Sequence, residues 1–220
     1  LGVNNGDARK FRVQLESIVG QSIATYGEPV VLVGWSLGGY IAREYAREHP
    51  EGVRRIVTLG SPVIGGPRYT ATSEWYRSRG HDLAEMERAI KSRYATPLRV
   101  PVTAIYSKRD GIVAWQACID KWSPDVRHIE VNETHVGLGF APRVLAIVAD
   151  EQAIAGGVVM MSVTVFCMAS PVTNVTSPPT FSTSAFSSGW FTASMKALRS
   201  AATRSAGTFG GVSIGRPMTE

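Results

Sequence analysis

Four consecutive apolar residues, Val30, Val31, Leu32 and Val33, run directly into Gly34-Trp35-Ser36-Leu37-Gly38-Gly39. A run that is apolar at every position has no face to show to water, so it reads as a parallel strand covered on both sides. The Gly-x-Ser-x-Gly stretch behind it makes a tight turn. Tyr40, Ile41, Tyr45 and Ala46 then recur at helical spacing until His49 and Pro50 close the pattern. Strand, turn and helix in that order is the unit from which an open α/β sheet is built.

The unit repeats along the chain. Phe11, Leu15, Ile18, Val19 and Ile23 recur at three and four residues, which predicts a helix over 8–26, broken by Gly27-Glu28-Pro29. Strands are predicted at 53–59, 102–106 and 126–131, with a helix over 82–94 between the second pair of apolar runs. The expected architecture is therefore α/β, a mostly parallel sheet with flanking helices, whose functional loops gather at the C-terminal ends of the strands. After about residue 151 charges nearly vanish and Ser and Thr dominate. A boundary is placed there: 1–151 as the α/β domain, 152–220 as a disordered or loosely packed tail. The apolar part of that tail, 153–169, only reaches the lower limit for a membrane span, and a β-prone or loose segment is preferred to a membrane anchor.

Composition closes off other classes. The net charge of +5 comes from Lys and Arg scattered without a dense run, which argues against a nucleic-acid partner. The two cysteines, Cys118 and Cys167, suggest free thiols rather than a disulfide framework or a metal pair. No signal-peptide pattern opens the sequence, and the compartment stays open, with a weak preference for the cytoplasm.

The chemistry centres on Ser36. A serine held in a sharp strand-to-helix turn presents its hydroxyl above the sheet, and glycines around it let backbones pass closely. The helix that follows aims free N–H groups at the reacting oxygen, which makes the Leu37 N–H a candidate oxyanion donor. A serine hydroxyl needs a base, and the sequence offers four histidines. His49 ends a helix, His81 lies in a polar connection and His128 lies inside a strand. His135 follows the last strand in a loop and is the candidate base. Asp110, in the loop that leaves the third strand, is the candidate carboxylate, with Asp120 or Asp125 able to replace it only if that strand is misplaced. The order Ser36, Asp110, His135 suits a nucleophile, an acid that orients the ring, and a base.

Gly34-Trp35-Ser36-Leu37-Gly38-Gly39, Gly60-Ser61-Pro62, the stretch from Tyr106 to Val113 and Thr134-His135-Val136-Gly137 together resemble bacterial serine hydrolases of the α/β-hydrolase superfamily, near its lipase-like and esterase-like members. The resemblance spans about residues 1–150. It implies cleavage of a carboxylic ester through an acyl-enzyme on Ser36, without metal or organic cofactor. It also implies further strands before the elbow, and a loop among them giving a second oxyanion N–H. Only 29 residues precede Val30. The chain is accordingly expected to be truncated at the N-terminus, to leave the elbow strand as an exposed apolar edge, and to be weakly active.

The segment 65–99 is longer than a minimal connection and is expected to form a small cap, with Trp75, Tyr76, Leu83, Met86 and Ile90 either lining a pocket or packing the helices. Trp35 is left between pocket and core. The leading expectation is a serine esterase acting on a small-molecule or lipid ester of medium or long acyl chain. Alternatives are an inactive fragment that binds partners or itself through the exposed edge, and an acyltransferase on the same fold.

Overall fold

Each apolar run becomes a strand, and each helix returns the chain so that the next strand starts in the same direction. The computed structural model describes residues 2–3, 8–156 and 159–165. All of these lie in the first of the chain's two structural units, residues 1–173. In chain order the elements are β1 (Gly2–Val3), α1 (Ala8–Tyr26), β2 (Val30–Trp35), α2 (Leu37–Glu48), β3 (Val53–Leu59), α3 (Ser73–Ser78), α4 (Leu83–Ser92), β4 (Val102–Tyr106), β5 (Val126–Glu130), α5 (His135–Phe140), α6 (Pro142–Ala155) and β6 (Val159–Val165). The strand order is β1-β6-β2-β3-β4-β5 and every pairing is parallel.

Helices cover both faces. Successive residues of a strand point to opposite sides, and Leu32, Ile56 and Val102 join one core with Phe11, Leu15 and Val19 of α1 and Ile41 of α2. The four-residue steps of α1 choose its buried stripe, since Ile18 stands 40% exposed. On the other face α6 is pinned by Glu151. Its carboxylate accepts from Arg55 Nη1 at 3.0 Å, Thr103 Oγ1 at 2.8 Å and Arg127 Nη1 at 2.7 Å, one donor from each of three adjacent strands. A carboxylate this buried is tolerable because two guanidiniums and a hydroxyl replace its water.

Two expectations are corrected. The elbow strand is not an exposed edge: β6 pairs along β2 from Val31↔Val159 to Trp35↔Val163. The backbone groups on that side of β2 need partners, and the Val- and Thr-containing 159–165 supplies them in a β conformation these residues favour. The order also continues past residue 151, because α6 runs to Ala155 and ends at Gly156, whose φ of 66° suits glycine. Among the described residues no helix is long and apolar enough to cross a membrane. The remainder of the tail, 166–220 with Cys167, lies outside the described residues.

Candidate active site

The strand register brings the loops of interest to one rim. Trp35 stands opposite Leu59, Leu59 opposite Ile105, and Tyr106 opposite Glu130, so four neighbouring strands finish nearly level. Ser36, Gly60, Asp110 and His135 all follow those ends.

Ser36 has φ 55° and ψ −123° and is the one non-glycine residue with positive φ among the described residues. Such a backbone stores about 1–3 kcal/mol of strain, which the surrounding structure must hold. The Ser36 N–H donates to Leu59 O at 2.9 Å, which fixes the turn to β3. Close crossing of the chain requires the flanking glycines: a Cβ on Gly34 would lie 2.5 Å from Gly39 Cα. Leu37 is the first residue of α2, so its N–H has no acceptor within the helix and points from the positive end of the dipole.

Asp110 and His135 meet. His135 Nδ1 and Asp110 Oδ2 are 2.8 Å apart, with both side chains almost fully buried. Asp110 Oδ1 accepts from the backbone N–H groups of Ile112 at 2.9 Å and Val113 at 2.7 Å. The two loops are also joined through the backbone, where the His135 N–H donates to Asp110 O at 2.9 Å. Ser107 Oγ ties them again by accepting from Arg109 N at 3.0 Å and Glu133 N at 3.2 Å. His135 Nε2 is buried and finds no hydrogen-bond partner among the described residues. An imidazole held this way by a carboxylate carries its proton on Nδ1 and keeps Nε2 free to take another. Rather than lying in a loop, His135 opens the short helix α5, capped by Thr134 Oγ1, which accepts from Gly137 N at 3.1 Å.

Three contributors escaped the sequence reading. Gly60 has φ 53°, and a Cβ there would lie 2.7 Å from Asp110 Oδ2 and 3.3 Å from His135 Nδ1, so the pair closes over a residue without a side chain. Trp35 faces the core side, not the pocket. Its Nε1–H donates to His135 O at 3.0 Å, and its ring lies 5.4 Å from the imidazole and 5.4 Å from Phe140. Ser107 is the third. A tryptophan beside the motif serine was the only visible hint, and nothing local says which carbonyl its N–H reaches.

The other candidates lie elsewhere. Asp120 is paired with Arg43, and Asp120 N donates to His128 Nε2 at 3.1 Å, which removes both residues from the rim site. Asp82 caps α4 by accepting from Ala84 N and Glu85 N. His49 caps the end of α2 beside Tyr45. Cys118 is a buried free thiol that burial, with Asp110 nearby, pushes up to about 12, so it stays protonated. Among the described residues no three His, Cys, Asp or Glu side chains cluster as metal ligands.

A cavity of ≈ 270 Å³ opens beside Ser36, walled by Leu37, Tyr40, Tyr76, Met86, Ile90 and Val113 among others. Of the expected cap residues, Tyr76, Met86 and Ile90 line it. Leu83 is instead buried in helix packing and Trp75 stacks under the Arg79 guanidinium, 4.2 Å from the ring centre.

Comparison with known proteins follows the same geometry. Residues 24–90, the stretch from the end of α1 through the elbow to α4, match the family model described as the alpha/beta hydrolase fold. The chain has the α/β-hydrolase fold. Similarity to solved α/β-hydrolases extends over more of the chain. The meta-cleavage product hydrolase of Pseudomonas fluorescens IP01 superposes with TM-score 0.50 at 16% identity, over 70% of this chain and 74% of that one. The Mycobacterium tuberculosis protein Rv0554 gives TM-score 0.50 at 15% identity, over 70% and 75%. At these identities the likeness concerns the fold. A curated relative, the pimeloyl-[acyl-carrier protein] methyl ester esterase of Yersinia enterocolitica, is 33% identical over 67 residues. Those residues are 30% of this chain and only 24% of the length of that relative.

Proposed function

We propose that this protein is a serine esterase in which Ser36 attacks the carbonyl carbon of a carboxylic ester. The observation that carries the reading is the buried Asp110–His135 pair, which holds Nε2 without a partner on the rim where Ser36 sits strained at the elbow. His135 Nε2 takes the hydroxyl proton as the Ser36 Oγ–carbon bond forms, and Asp110 stabilises the resulting imidazolium. The Leu37 N–H donates to the oxyanion of the tetrahedral intermediate. Collapse breaks the bond to the alcohol, which leaves with the proton from His135, and an acyl-Ser36 ester remains. Water, deprotonated by the same imidazole, then releases the acid and restores the serine.

The esterase likeness of the Yersinia enterocolitica relative supports the same reaction class, within the 67 residues that align. The test is covalent labelling with a fluorophosphonate probe, followed by peptide mapping, on the wild type and Ser36→Ala. Labelling at Ser36 that disappears in the variant is the expected result. Equal labelling of both proteins, or none in a folded wild type, removes Ser36 from the mechanism.

A further inference from the structure

The cavity beside Ser36 touches the nucleophile and Leu37, yet His135 is not among the residues that line it. In the reaction proposed above, the leaving alcohol must lie beside His135, because that imidazole gives it a proton. The group that fills the cavity is therefore the other half of the ester, the acyl arm, whose carbonyl oxygen faces the Leu37 N–H.

The walls specify the character of that arm. Among the described residues no Asp, Glu, Lys or Arg lines the cavity, and the space is enclosed chiefly by aliphatic and aromatic surface. Its two threonine hydroxyls are already committed. Thr70 Oγ1 donates to Pro67 O at 2.8 Å, so the Thr72 hydroxyl, 2.6 Å from Thr70 Oγ1, spends its own proton there. Burial above all, with Glu44 nearby, pushes the Tyr40 phenol up to about 12, which keeps that wall uncharged at neutral pH. Three arginines of α2 and the 65–99 segment are ion-paired. Arg93 is bound by Glu44 and Glu48, Arg47 by Glu44, and Arg68 by Glu87. His81 stands at the exposed rim, its ring 5.5 Å from that of Tyr76.

A carboxylate at the end of an acyl arm would enter this space with no lysine or arginine among the described lining residues to pair with it, and an unpaired buried charge is strongly disfavoured. A methyl end meets chiefly apolar contacts. We infer that the cavity is an acyl-arm site that selects an uncharged hydrocarbon chain and rejects a chain of equal length ending in a carboxylate. The inference rests on Ser36 being the acylated residue.

The experiment compares kcat/KM for 4-nitrophenyl octanoate with that for the 4-nitrophenyl half-ester of suberic acid, which has the same chain length and a terminal carboxylate. The octanoate is expected to be preferred by about 100-fold. Met86→Arg, which places a cation on the wall, should shrink that preference at least tenfold by improving the half-ester and weakening the octanoate. Equal or better turnover of the half-ester by the wild type overturns the inference, as does a preference unmoved by Met86→Arg in a variant that melts like the wild type. Fluorophosphonate labelling of Ser36 in the same samples separates the two claims. Labelled enzyme without the charge preference sinks the acyl-arm inference alone, whereas unlabelled, inactive enzyme sinks both.

Discussion

Asp110 and Asp120 are folded alike and serve opposite ends. In each, Oδ1 accepts from the backbone N–H groups two and three residues on, Ile112 and Val113 for the first and Trp122 and Ser123 for the second. In each, Oδ2 binds a basic side chain in the protein interior, His135 for Asp110 and Arg43 for Asp120. The partner makes the difference. A guanidinium is charged at every relevant pH, so Arg43–Asp120 is a fixed clamp between α2 and the approach to β5. An imidazole can gain and lose a proton, and His135 Nε2 is left without a hydrogen-bond partner among the described residues. A buried, fully hydrogen-bonded aspartate thus says nothing about catalysis until its partner can exchange a proton.

Exchanging the carboxylates for amides is the sharpest way to break this contrast. Asp110→Asn should cut kcat for ester hydrolysis by about 10⁴-fold by releasing the imidazole from its tautomer, with fluorophosphonate labelling of Ser36 slowed in parallel. Asp120→Asn should leave kcat within about twofold while lowering stability by about 3–5 kcal/mol in urea unfolding, because it leaves Arg43 charged and buried. If Asp120→Asn abolishes activity in protein that remains folded, the division between clamp and site is wrong.

The clamp also has its own pH signature. Burial alone would raise the Asp120 carboxyl, but Arg43 and the backbone donors outweigh it and hold the group down at about 2, below its ordinary 3.8. The stability it contributes is therefore complete above the ordinary value and is lost as pH falls toward about 2. Acid unfolding monitored by far-UV circular dichroism should lose part of its slope in that window in Asp120→Asn.

Gly60→Ala sharpens the comparison from the site side alone. The methyl would press on Asp110 Oδ2 and His135 Nδ1 and strain a left-handed backbone, and a displacement of the pair by about 1 Å costs about 100-fold in kcat. The smallest effect is expected for Trp35→Phe, which keeps a ring near the imidazole but loses the indole N–H to His135 O. One hydrogen bond of about 1 kcal/mol corresponds to about a fivefold fall in kcat/KM. It should appear in kcat with KM little changed, since Trp35 holds the His135 backbone and does not line the cavity.

Much of this molecule was legible before any coordinates. The helix over 8–26, the apolar strand that opens at Val30, the strands at 53–59 and 102–106 and the sharp turn at Ser36 all follow from local rules. Apolar periodicity reports how a segment is covered, and glycine spacing reports where the chain must turn sharply or pass close to itself. Those signals are contained within a dozen neighbouring residues, which is why they survive in one dimension.

What the tertiary structure decided is which distant groups meet. Asp110 and Asp120 make the same local turn, and no neighbouring residue reveals that one faces His135 and the other Arg43. The apolar stretch at 159–165 has the composition of a loose tail, yet it pairs with β2, because that strand's free backbone groups leave a place only the folded sheet defines. Trp35 reaching His135, Gly60 clearing space beneath the pair, and a cavity walled by α2, α4 and the Asp110 loop are likewise long-range outcomes. Packing and hydrogen-bond complementarity act through space, so residues far apart in the chain become partners only once the sheet sets their distance.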